Sequence, residues 1–309
     1  MTDPASVPER PPDVVVYGQI ARDLVLVVDE APPAGQSATV RRRREMLGGK
    51  GANQAVGLAQ LGMRPALAAV TGDDAVATSL LEQANRDGVD TSAVVRRPGE
   101  ATALIVDVVD QEGRWRYLEE VPLGVRLNRE DVERTVTLLT TAPWVSVQLQ
   151  QPPGAALAAA RAAKAAGCPV VLDGAPEGGE HRDDLLAHAD VVRADAREAR
   201  LLTETDIGDE RMAKCVAAMI MDHGPGLVAL AVGDAGNYFA WRGGDLLLPL
   251  EETPVADTTG AGDALTAALI TALASGFEPE RAARAAVRAA ALTVGHPGGR
   301  PDLAGKVFS

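Results

Sequence analysis

Trp144-Val145-Ser146-Val147-Gln148, then Gly154 to Ala166, then Pro169-Val170-Val171-Leu172-Asp173: the fold turns on how this run is read. Its outer stretches are short and apolar, the pattern of buried strands, and the alanine-rich middle is a helix. A strand, a helix and a strand in this order make parallel neighbours joined by a right-handed crossover. The alternation continues with strands over Ala189 to Arg193 and Leu227 to Val232. Helices run over Arg197 to Thr203 and Arg211 to Asp222. A hairpin of Tyr238 to Trp241 with Leu246 to Leu250 precedes two last helices, Gly262 to Ala274 and Glu278 to about Val294. Upstream, a strand over Val14 to Tyr17 stops at Gly18. A helix opens at Gly48-Gly49-Lys50-Gly51 and ends at Gly62, and a strand over Ala66 to Val70 and a helix over Ala75 to Asp87 follow. The expected fold is α/β: a doubly wound, mainly parallel sheet with helices on both faces.

Four stretches break this rhythm. Leu24 to Val28, Ala38 to Arg43, Ala103 to Asp110 and Arg114 to Glu119 read as strands without intervening helices. They predict a small sheet, within about 24–43 and 103–119, that covers a site on the main domain. Residues 13–309 form one domain in this reading, and the polar, proline-rich stretch 1–12 is a loose tail.

Hydrophobic residues make up 46% of the 309 and aromatics only 3%, so Ala, Val and Leu must fill the interior. A net charge of -13 excludes nucleic acid as a partner, because a phosphate backbone recruits a basic footprint. The one basic run, Arg41 to Arg44, reads as a solvated edge or as a lure for an anionic substrate. No stretch is long and apolar enough to span a membrane. Cys168 and Cys215 lack CxxC spacing, which fits a reducing cytoplasm, and His181, His188, His223 and His296 show no ligand spacing.

Two segments carry chemistry. Thr253 to Ala264 contains Gly260-Ala261-Gly262-Asp263, a glycine-built turn that runs straight into a helix. Such a turn aims unpaired N–H groups at one point, and the helix dipole adds about half a positive charge there. A developing negative charge is stabilised at that point, and a carboxylate beside it can accept a hydroxyl proton. By itself the same segment also reads as an electrostatic helix cap. Gly48-Gly49-Lys50-Gly51-Ala52-Asn53-Gln54-Ala55 lets a ligand approach the backbone and offers donors from Lys50 and Asn53. It is not a Walker loop, since Arg44 and Gly51 stand where Gly and Ser or Thr are required. Gly18 to Asp23 lacks the glycines of a dinucleotide fingerprint.

In this order and spacing the two segments resemble the two signatures of the ribokinase, or PfkB, family of sugar kinases. The likeness runs from about Val14 to Pro301, and Gly48 to Ala55 is most similar to the ribokinases within it. The resemblance implies transfer of the ATP γ-phosphoryl to a primary hydroxyl of ribose or a related pentose. It also implies a β-sheet lid that often joins two copies in a homodimer. Asp263 would be the base, and the amides of Gly260, Ala261 and Gly262 the anion hole. Asp23, Gly49, Lys50, Asn53 and Gln150 would face the sugar, and Asp195, Glu198, Gly233 and Gly236 the nucleotide. Glu198 would organise the waters of Mg²⁺, and Asp257 with the Thr259 carbonyl would hold K⁺.

Departures from the family pattern bear on the acceptor. Ala21 stands in place of a sugar-binding Asn, Gln150 in place of a Glu, and Gly124-Val125-Arg126 in place of Gly-Ala-Asn. Asp195 replaces an Asn and Ala231 a Thr on the nucleotide side. A nucleoside kinase, with Asp23 on the ribose diol and room for a base, and a non-catalytic binding paralogue are the alternatives.

Overall fold

The structure, a computed structural model, describes residues 11–112, 114–139, 142–251, 253, 258–295 and 299–308. Most of the tail assigned to 1–12 therefore lies outside the described residues.

The chain opens with β1 (Val14–Tyr17), whose four side chains are all buried because helices cover both faces of the sheet. Next come β2 (Ala21–Val28) and β3 (Val40–Gly48), then α1 (Lys50–Gln60) and β4 (Pro65–Ala68). The short β5 (Val70–Gly72) precedes α2 (Ala75–Arg86), β6 (Val95–Arg97), β7 (Leu104–Val109) and β8 (Trp115–Glu120). Regular alternation then sets in: α3 (Arg129–Leu139), β9 (Trp144–Gln148), α4 (Pro153–Ala165), β10 (Val170–Asp173), α5 (Arg182–Ala187) and β11 (Val191–Ala194). The chain ends with α6 (Ala196–Thr203), α7 (Glu210–Met221), β12 (Leu227–Ala231), β13 (Asn237–Trp241), β14 (Gly244–Leu248), α8 (Ala261–Ala274) and α9 (Pro279–Val294).

Eight strands form the main sheet in the order β14-β13-β12-β11-β10-β9-β1-β4, parallel from β4 to β12 with an antiparallel hairpin at the edge. One face packs on α1, α8 and α9 and the other on α3 to α7, each with its own apolar core. Small residues let the helices close up, and a Cβ on Gly57 of α1 would stand 3.0 Å from the Ala267 Cβ of α8. The alanine-rich interior expected from composition is thus present. Winding leaves β1 to the β4 side and returns to the β9 side, so the topological switch falls between β1 and β9. Open α/β sheets take their ligands at such a point, beyond the carboxyl ends of the strands.

The lid is a separate four-stranded sheet, β3-β2-β7-β8. Two of its strands differ from expectation. β2 begins at Ala21, which puts Asp23 on the lid, and β3 starts at Val40 and continues to Gly48, pairing with β2 along its length. Strand β3 lies at the edge, where Arg41, Arg42 and Arg43 are exposed, Arg41 pairs with Asp29 and Arg43 with Glu45. They form the solvated edge, as charges on an unpaired strand should. The strand expected over Ala66 to Val70 is two: β4 stays in the main sheet, while β5 turns away to pair with β6. Helices α3 and α5 were not expected, because their charged first turns and few apolar residues weaken the helical pattern.

Candidate active site

Three helix starts meet at the switch point: α1 after Gly49, α6 after Asp195 and α8 after Gly260. Gly49 has φ of 87°, and a Cβ on it would come within 2.9 Å of the Ala21 nitrogen and the Gln19 carbonyl. Glycine is required there both for the left-handed turn and for the close approach of β2. Gly260, with φ of 74°, is bound in the same way, since a Cβ would overlap the carbonyl oxygen of Gly299. No feature of the sequence singled out Gly299.

A cavity of about 310 Å³ lies between these helix starts and the lid. From the expected set, Asp23, Gly49, Lys50, Asn53, Gln150, Asp195, Thr259, Gly260, Gly262 and Asp263 all line it. Ala261 is the first residue of α8, beside it. Glu198 sits just behind, bonded to Lys50 at 3.2 Å. Gly233 and Gly236 do not line this cavity; they form the turn after β12, at the carboxyl ends of the same strands. Asp257 lies outside the described residues. The lid contributes Asp107, Trp115, Tyr117 and Glu119, which sequence reading had not named. Tyr117 hydrogen-bonds to Thr259, tying the lid to the turn that precedes α8.

The floor is a network of buried polar groups. Asp263 is 5% exposed and accepts from Asn53 Nδ2 at 3.2 Å and Gln54 Nε2 at 3.3 Å. Gln54 also donates to Asp173 Oδ2 at 2.8 Å, and its oxygen accepts from Ser146 Oγ, which fixes the orientation of the amide. Burial, and then the neighbouring Asp173, push the Asp263 carboxyl up to about 7, against the opposing pull of Lys50 and the two amide bonds. Burial likewise raises Asp173, although Arg193 opposes it. Burial by itself would lower the Lys50 pKa, but Glu198, Asp173 and Asp263 hold the ammonium above its ordinary value. Burial would also raise Glu198, and Arg193 and Lys50 outweigh it and keep the carboxylate low. Asp195 and Glu198 form a capping box on α6.

Gln54, Asp173 and Arg193 were missed as site residues. Asp173 and Arg193 had a readable signal, a charge near the end of an otherwise apolar strand, where a buried ion must be paired. Among the described residues no cluster of three or more His, Cys, Asp or Glu is arranged to hold a metal directly. The residues do fit a cation held through water: Glu198 Oε1 accepts one hydrogen bond, from Lys50, and Asp195 faces the cavity.

This arrangement, an acid with a raised pKa at a helix start beneath a lid, can take a proton and stabilise an anion at one point. The sequence profile described as pfkB family carbohydrate kinase matches residues 11–304. The chain belongs to this family. It is a phosphotransferase that acts on an alcohol group, and ATP is the donor the family uses. Among characterised PfkB kinases it is 27% identical to the ribokinase of Haemophilus influenzae, over 94% of both chains. It is 30% identical to the ATP-dependent ribose-1-phosphate kinase of Halopiger xanaduensis, over 93% of both. Its structure superimposes on an Arabidopsis thaliana ribokinase complexed with ribose and ATP at a TM-score of 0.76 and 26% identity, covering 94% of this chain and 96% of that one. The doubly wound sheet and the lid are those of a PfkB kinase.

Proposed function

We propose that this PfkB kinase phosphorylates the primary hydroxyl of a pentose, ribose or a close relative, with Asp263 as general base. The observation that carries the reading is Asp263 itself: buried, with a pKa raised to about 7, and held by Asn53 at the start of α8. A base poised near the working pH is half ionised yet still basic enough to take the proton. Asp23 and Asn53 face the acceptor, and Gln150 and Lys50 border it. As the acceptor oxygen bonds to the γ-phosphorus, its proton passes to Asp263. The bond from that phosphorus to the β,γ-bridging oxygen breaks, and the electron pair leaves with ADP. The amides at Gly260, Ala261 and Gly262 receive the equatorial charge. Asp195 and Glu198 would hold a Mg²⁺ through water, and the ion would supply further charge neutralisation. Thr259 and Asp257 are the proposed K⁺ ligands. The outer face of the lid, where Leu24, Val106 and Leu118 share a cross-strand row, is the proposed homodimer contact.

The lid favours a second acceptor class. Trp115 and Tyr117 pack at a tilt, with ring centroids 4.5 Å apart and planes 35° from parallel, and both line the cavity, an apolar wall that suits a nucleoside base. A panel of pentoses, pentose 1-phosphates, hexoses and nucleosides, with ADP release measured with and without K⁺, decides between them. The highest kcat/KM is expected for a pentose. A nucleoside preferred tenfold or more would replace that acceptor, and binding without any ADP release would leave a non-catalytic paralogue.

A further inference from the structure

We propose that Arg193 is a catalytic residue of the phosphoryl transfer, because its guanidinium lies against Gly262 at the start of α8, in the cavity that Asp263 faces. The inference rests on the kinase reading and adds a cation to it.

Arginine is out of place at the end of a central parallel strand. Val192 and Ala194 of β11 enter one core, and Val191 enters the other. Arg193 is nearly buried, its side chain 13% exposed, and its Nη1 stands 3.3 Å from both Asp173 Oδ1 and Glu198 Oε2. Those bonds alone would describe a structural ion pair. Two observations point further. Both acids already have other partners: Gln54 and Thr266 donate to Asp173, and Lys50 and the Asp195 amide donate to Glu198. The other arm of the fork, Nη2, occupies the space that a side chain at position 262 would fill, since a Cβ there would overlap it. Gly262 thus admits a guanidinium beside the amides of the α8 start, and both residues line the cavity.

Charge explains why a cation belongs there. Asp173, Asp195, Glu198 and Asp263 surround the floor, against Lys50 and Arg193. Asp195 is an acid where the resembling kinases carry a neutral Asn, and Arg193 stands two residues before it, within its field. Without Arg193 one cation would face four acids and an incoming triphosphate. In the transfer step Nη2 donates to an equatorial oxygen of the phosphoryl group in transit. It forms no covalent bond and keeps its protons. A planar fork can hold Asp173 and Glu198 with one arm and the phosphoryl with the other, which a lysine cannot.

The test uses the full chain with Arg193→Gln and Arg193→Lys. Binding of MgADP is measured alone and with aluminium fluoride, which mimics the migrating phosphoryl, and kcat is measured with the acceptor the panel selects. For Arg193→Gln, kcat is expected to fall about 10²- to 10³-fold, as for loss of one donor to a developing anion. The tightening of MgADP by aluminium fluoride should weaken about tenfold or more, while MgADP alone shifts less than about threefold. Should the Gln variant not fold, Arg193→Lys carries the test and is expected to lose most of the tightening. Unchanged tightening in the folded variant overturns the assignment, as does equal weakening of MgADP with and without fluoride. An active parent with an unaffected variant removes only the role of Arg193. A parent that releases no ADP with any acceptor removes the kinase reading as well.

Discussion

Asp263 and Asp173 share the two N–H groups of one amide, that of Gln54, so neither carboxyl ionises without repelling the other. The Asp263 pKa of about 7 has two consequences. As the proposed base it must lose its proton before it acts, so kcat/KM should fall as pH drops below about 7. The linkage to stability has the opposite sign. A carboxyl whose folded pKa is raised stabilises the fold at low pH, and that stability is lost as pH rises through about 7. Asp263→Asn should therefore lower kcat about 10²- to 10⁴-fold. The same variant should be more stable than the parent by on the order of 1–3 kcal/mol at pH 8, the gain shrinking toward pH 5. Urea denaturation at the two pH values checks the second half. A variant less stable at pH 8 would show that Asp263 is not held under electrostatic strain.

At the scale of elements, the site depends on how α8 begins. Its first turn follows Gly260, whose left-handed backbone faces the Gly299 carbonyl. Gly260→Ala should cost at least about 1–2 kcal/mol for the backbone conformation alone, and more for the overlap. Turnover should fall along with the melting temperature, because the amides move with the turn. Helix α1 meets a similar constraint at Gly49, with β3 running directly into it. Lid and floor are thus one continuous piece of chain on that side, and Asp23 of β2 is carried on the lid.

For the whole molecule, the reversal of strand order between β1 and β9 creates the crevice, and the lid closes it. Asp23, Ile105 and Glu119 form one cross-strand row facing the cavity, whereas Leu24, Val106 and Leu118 face away. Leu118 is 66% exposed on that outer face, an apolar side chain in water unless a second copy covers it. Size-exclusion chromatography with light scattering should give twice the chain mass for the parent and the single mass for Leu118→Glu. A monomeric parent would rule out the lid dimer.

Much of this was legible in the residues in order. Strands of Val and Leu between alanine-rich helices dictate parallel pairing, and Gly48 to Ala55 and Gly260 to Asp263 mark helix starts that border one cavity. Lys50, Asn53 and Asp263, which line the cavity, could be picked out as candidates because motif spacing is local. Gln54, Asp173 and Gly299 meet partners far along the chain, and Arg193, although Glu198 is near it in sequence, reaches Asp173 and Gly262 only through the fold. No local pattern records that Gly262 leaves room for the Arg193 guanidinium, or that Gln54 bridges two acids 90 residues apart. Raised pKa values belong to that second class. They arise from burial and from charges brought together by packing, which the tertiary structure alone decides.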